Sequence, residues 1–140
     1  LSVASAGDQI LLIASTFNHS DESFPLSLRS DVDIDALDAG HLAILDGEGT
    51  ATAAFLLDSA MDAGINLTDL GFTDFGDCIE VTSTGSTEGF VLNIDGCLFQ
   101  AFTGTGVLAN FSASGTQVLW VQNSTFHHAG RFKNPVKNHY

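Results

Sequence analysis

Basic residues are nearly absent from this chain: four Lys and Arg stand against seventeen Asp and Glu in 140 residues, a net charge of −13. A polyanion is bound by cations at its phosphates, so nucleic acid is not expected as a partner, and the same argument disfavours anionic membrane surfaces. Long apolar runs are missing too. The longest, 10–14, is strand-sized, far short of the roughly 20 residues of a membrane helix, so membrane insertion is not expected. Two Cys are too few for a disulfide scaffold, and a chain this long buries enough surface to need none. Lys, Arg and Glu, which build exposed helix faces, are scarce, and no window of about 12 residues carries a helical stripe. The chain starts without Met and without a basic segment leading into an apolar one. That start fits an exported protein whose signal peptide has been removed.

What is present points to strands. The chain is 44% hydrophobic with eleven Phe, and its mean hydropathy of +0.21 excludes disorder. Apolar runs at 10–13, 26–28, 42–45, 55–57, 65–67, 79–81, 90–94, 107–111 and 118–121 alternate with Gly, Asp, Asn, Ser and Thr, the turn formers. The expected class is all-β. Charge divides the chain further. Residues 1–130 carry every acid and one base, Arg29, while residues 131–140 carry Arg131, Lys133 and Lys137 and no acid. The expectation is one acidic domain over 1–130 followed by a basic tail over 131–140.

Offsetting the sequence against itself by 27 residues superimposes three segments. Leu67, Ile94 and Val121 coincide, then Leu70, Cys97 and Ser124, then Phe72, Phe99 and Phe126. In a coil rising one strand spacing per turn, such residues sit ~4.8 Å apart and stack as columns. Phe72, Phe99 and Phe126 are therefore expected to form a buried core ladder. Each period holds three short strands, with Asp95-Gly96 as a sharp corner and 102–106 as a wider loop. That is the plan of a right-handed single-stranded parallel β-helix, a solenoid of about four coils.

Ala6-Gly7-Asp8-Gln9-Ile10, Phe24-Pro25-Leu26-Ser27-Leu28 and Ile44-Leu45-Asp46-Gly47 resemble the opening coils of pectin-lyase-like β-helix proteins. The chain departs from the family where Ala14-Ser15-Thr16-Phe17 replaces its usual Pro-Gly-Thr-Tyr. The resemblance implies the fold and no particular chemistry. Two family activities leave partial echoes. Asp74 and Asp77 before Cys78-Ile79, with Arg131-Phe132-Lys133, resemble the acid/base and cation segments of polygalacturonase-like hydrolases. Polysaccharide lyases use an Arg or Lys base, and the body offers only Arg29. The hydrolase's Gly-His-Gly is missing, so Asp74 and Asp77 read better as solvated loop carboxylates, and the balance leans away from an enzyme.

Asp31, Asp33 and Asp35 alternate with Val32 and Ile34, which places three carboxylates on one outer face, where a hard cation such as Ca²⁺ or a basic partner would relieve their repulsion. The plainer reading is an exposed acidic strand. His127 and His128 point opposite ways on a strand, with no partner at metal-ligand spacing. Cys78 and Cys97 fall at different corners of the register, which favours two buried free thiols over a bridge. Four glycosylation sequons begin at Asn18, Asn66, Asn110 and Asn123, with Asn18 expected in a loop, Asn66 pointing outward and Asn123 at the corner shared with Asp69 and Gly96.

Two functions remain. The first is an extracellular structural or interaction module of a fibre, spike or cell or virion surface. It would stack end to end, or belong to a larger parent chain, and would present a flank to glycans. Arg131, Lys133 and Lys137 would join the acidic flank of the next copy. The second is a carbohydrate-active enzyme or a fragment of one.

Overall fold

The computed structural model describes residues 5–29, 31–57, 64–82, 90–110, 117–128 and 136–139. The chain climbs in rungs of three strands. The first rung is β1 (Gln9–Leu12), β2 (Thr16–Asn18), a single helical turn α1 (His19–Glu22) and β3 (Leu26–Ser27). The second is β4 (Asp33–Ala36), β5 (Ala43–Asp46) and β6 (Phe55–Leu57), and the third is β7 (Ile65–Thr68), β8 (Leu70–Thr73) and β9 (Ile79–Val81). The fourth is β10 (Phe90–Asp95), β11 (Leu98–Phe102) and β12 (Val107–Asn110). The fifth is β13 (Gln117–Gln122), β14 (Thr125–His128) and β15 (Val136–His139).

Each strand of the three inner rungs pairs in parallel with its counterparts above and below, and the end rungs pair on one side, which makes three five-stranded sheets. The result is a parallel β-solenoid of about four turns with a period near 27 residues. In the second sheet Phe99 lies opposite both Phe72 and Phe126, so the 27-residue offset is the physical register. The early rungs depart from it. In the first sheet Gln9 pairs with Asp33, a step of 24, and Ile34 with Leu67, a step of 33. Strands that must stack tolerate such variation because the connecting loops absorb it.

Corners are set by residues that accept left-handed backbone. Asp69, Gly96 and Asn123 occupy the same corner of successive rungs with φ of 55°, 65° and 52°. Gly is free in this region, and the short polar side chains of Asp and Asn tolerate it. A Cβ at Gly96 would lie 2.5 Å from Asp69 Oδ1, so this corner also requires the smallest residue. At the turn after β5 on the second rung, a Cβ on Gly47 would meet the carbonyl of Asp74 on the third at 2.5 Å.

Alternation sends one side chain in two to the axis, and those columns are the core. Ile34, Leu67 and Ile94 are buried in line, as are Leu57, Val81 and Ala109. The Phe rings stack nearly parallel, with centroids 4.8 Å apart for Phe72–Phe99 and 4.5 Å for Phe99–Phe126. Phe72 and Phe99 are fully buried, whereas Phe126 is only half-buried, short of the expectation. It lies on the edge strand β14 of its sheet, so one ring face has no further strand against it.

Residues 131–140, expected as a tail beyond the solenoid, contribute β15, which pairs with β12 and places Lys137 opposite Leu108. The 29-residue step from Val107 to Val136 is close to one period, so the segment reaches the third sheet as any other rung does.

Replacing Phe99 by Ala should cost about 3–5 kcal/mol, the range for emptying a packed aromatic site. The same change at half-buried Phe126 should cost clearly less. Denaturant unfolding of the two variants checks both values, and a Phe99 loss below about 1 kcal/mol would contradict the ladder.

Candidate functional site

The outer face of the first sheet carries the most developed polar arrangement. Asn66 and Asn93 stack on adjacent rungs, with Trp120 on the next. Asn93 Nδ2 donates to Asn66 Oδ1 at 3.1 Å, and Asn66 Nδ2 donates to Asp33 Oδ1 at 3.2 Å. The Asn66 backbone N–H reaches the same carboxylate oxygen at 2.8 Å. A carboxylate thus anchors a line of amides, each polarising the next. Beside it, Asn123 Nδ2 donates to Asp95 Oδ1 at 3.0 Å.

This arrangement takes up Asp33, one of the three carboxylates of the expected acidic row. Asp33 and Asp35 stand on β4, and Asp31 lies in the preceding turn at φ 59°. Exposed Asp31 is followed by buried Val32, half-buried Asp33 and buried Ile34, which is the expected alternation. Gly7 N–H donates to the Asp31 carbonyl at 2.7 Å, which ties that turn to the rung before. Asp35 has its carboxyl pushed above the usual range by burial and then by the neighbouring Asp69 charge. Among the described residues no three His, Cys, Asp or Glu side chains gather as a metal site.

The sequon asparagines take varied places. Asn66 is exposed and outward as expected, and Asn123 sits at its corner with φ 52°. Asn18, expected in a loop, ends β2 and starts α1 with extended backbone, because three residues of β2 pair with β5 before the turn begins. Asn110 closes β12 and is exposed; its sequon Ser112 lies outside the described residues. The Nδ2 atoms of Asn66 and Asn123, where a glycan would attach, both hold ladder bonds.

Of the hydrolase set, Asp74 and Asp77 fall within the described residues. Asp74 is exposed in a turn at φ 58°, and its carbonyl accepts from Gly49 N–H at 3.0 Å. Asp77 is a clamp between rungs: its Oδ1 accepts from Thr105 N–H at 2.6 Å and from Thr105 Oγ1 at 2.5 Å. Arg131 and Lys133 lie outside the described residues. Sequence reasoning overlooked Glu80 on β9, whose carboxyl is raised first by burial and then by the charge of Asp77, to which its protonated form donates a hydrogen bond. A loop carboxylate next to a strand carboxylate is invisible to a 27-residue offset, since both belong to one rung.

Cys78 and Cys97 are free and buried. Burial raises both thiols, Cys97 to about 12. His127 is exposed on the outer column of Thr73 and Gln100, while His128 turns back, edge-on to Phe102 with ring centroids 5.2 Å apart.

A second feature lies at the first rung. A cavity of about 150 Å³ opens there, lined by Ile10, Leu12, Phe17, Phe24, Leu26 and inner neighbours. Ile10, Phe17 and Leu26 point to the axis as core residues do but are only half-buried. At the other end Leu119, Val121 and Phe126 are half-buried in the same columns.

Two outcomes follow. Both thiols should resist an aromatic disulfide reagent near pH 8 in the folded protein and react fully in denaturant, because the thiolate is the reactive form. Glu80→Gln should raise the unfolding midpoint near pH 7. A raised native Glu contributes stability below its ordinary value of 4.5 and loses it as pH rises through the native value. The gain should therefore vanish below pH 4.5, which denaturant titrations at the two pH values check.

Against family models, curated protein sequences and solved structures the chain finds no significant match, so its function is argued from geometry.

Proposed function

We propose that the chain is a structural and interaction module of an extracellular fibre, spike or surface protein, a β-helix segment that stacks end to end with a second copy. Within β-helices we favour the pectin-lyase-like branch, on the Ile44-Leu45-Asp46-Gly47 corner. The observation that carries the reading is the likeness of the two ends. One column runs Phe17, Leu45, Phe72, Phe99, Phe126, and another begins at Ile10 and ends at Val121. Placing Phe126 of one copy over Phe17 of the next continues both columns with residues of the same kind. The apolar cavity at the first rung is then covered.

Edge strands at each end offer unpaired N–H and C=O groups to the incoming rung. Charge sets the polarity: residues 1–130 carry −16 and residues 131–140 carry +3. Lys137 stands on β15 of the last rung, and with Arg131 and Lys133 of the same basic segment it is proposed to join the acidic first rungs of the next copy. Exposed ion pairs contribute only ~0.2–1 kcal/mol each, so the strand edges and apolar ends must supply most of the affinity. The contact joins unlike ends and is heterologous, so it extends as a filament unless rotation closes it. The acidic row of Asp31, Asp33 and Asp35 is where we place Ca²⁺ or a basic partner. The reading as a carbohydrate-active enzyme has less support, since Asp77 is committed to Thr105.

Sedimentation should show mass growing with concentration. Ile10→Asp at the first rung and deletion of 131–140 should each shift the distribution toward monomer, with cooperative unfolding retained. Salt at ~0.5 M should slow assembly without abolishing it. Identical sedimentation of the intact and both altered chains at every concentration would refute end-to-end association.

A further inference from the structure

On the outer face of the first sheet, away from both ends, lies a groove of about 320 Å³ lined by Asn66, Val91, Asn93, Trp120 and Gln122. Three features make it more than an uneven surface. Trp120 is 58% exposed and Val91, one rung below and two residues along, is 42% exposed, so apolar area is concentrated in the groove. Trp120 Nε1 donates to Gln122 Oε1 at 3.2 Å, which satisfies the indole N–H, and among the described residues no ring stacks on the indole. Asn93 Oδ1, at the free end of the amide line, is buried with no hydrogen-bond donor among the described residues. The line runs from Asp33 through Asn66 to Asn93 and stops where Trp120 takes the next position. A buried acceptor without a donor is costly, so a ligand hydroxyl that reaches it is rewarded.

We propose that this groove is a carbohydrate-binding subsite for an uncharged glycan chain. The apolar C–H face of a pyranose ring packs on the Trp120 indole and Val91, as amphipathic ligands do on exposed aromatics. Ring hydroxyls exchange hydrogen bonds with the amides of Asn66, Asn93 and Gln122, which offer both donors and acceptors. Rungs are ~4.8 Å apart, close to the length of one hexose unit, so successive units meet successive rungs. Charge selects the class. Asp33, Asp35 and Asp95 share this face and the chain carries −13, so uronate and sulfated chains are repelled. The subsite lies on a flank and stays open in an end-to-end stack, so it stands or falls separately from the stacking.

The chain has one Trp, so indole emission reports on the groove directly. Titration of the intact chain with cellohexaose, chitohexaose and mannohexaose should give a saturable emission shift with at least one of them. Retention on the matching insoluble polysaccharide should fall about tenfold in Trp120→Ala, and Trp120→Phe should keep most of it. Unfolding midpoints of both variants should stay near that of the parent, since the indole lies outside the core. Emission unmoved by all three hexasaccharides overturns the proposal, as does Trp120→Ala retained like the parent. A shift produced by polygalacturonate alone overturns the uncharged class. Sedimentation of the same samples separates these outcomes from any failure of stacking.

Discussion

Everything in this molecule depends on one rung lying in register over another. A three-strand rung alone has no core, since its inward side chains cover only a few residues of their own. Stacking converts those side chains into columns and gives each inner strand hydrogen-bond partners on both sides. The Phe72–Phe99–Phe126 stack displays the constraint most plainly, because rings within 5 Å and nearly parallel require that successive strands keep one rise and one phase. Variation is exported to the loops, where the steps of 24 and 33 residues between early rungs are taken up.

The same constraint shapes the outside. A column repeats whatever side chain the register brings round, so polar positions also line up. Asn66 over Asn93 makes a line of amides, and Asp33 below them anchors it. Asn123 finds Asp95, and Thr105 finds Asp77, each about one period away. These bonds spend carboxylates that would otherwise look like candidate acids or cation ligands. With so few Lys and Arg in the chain, amides and hydroxyls take the role that basic residues play in most acidic surfaces.

A repeating column also makes its interruption informative. Trp120 stands where the amide line would continue, and an exposed aromatic at that point changes the face from a ladder to a groove. At the first and last rungs the columns stop without closure among the described residues. The inward side chains there are of the same kinds as those in the core. Flank and end are therefore two surfaces of different chemistry, one amphipathic and one apolar, produced by the same stacking.

Composition and the 27-residue offset determined the all-β class, the three strands per rung, the Phe column and the Asp69–Gly96–Asn123 corner. These are properties of local alternation and of residues one period apart, and a linear sequence displays both. The offset also set Asn66, Asn93 and Trp120 in line, although nothing in one dimension says that their side chains would bond or leave a groove. Only the tertiary structure decided that Asp31 sits in a left-handed turn, a backbone event that alternation does not reveal. It also decided that residues 136–139 form a rung strand, that Asp77 is held by Thr105 while raising Glu80, and that Phe126 is half-covered. Each of these depends on how a loop folds back or on what lies above and below, and such distances exist only once the rungs have stacked.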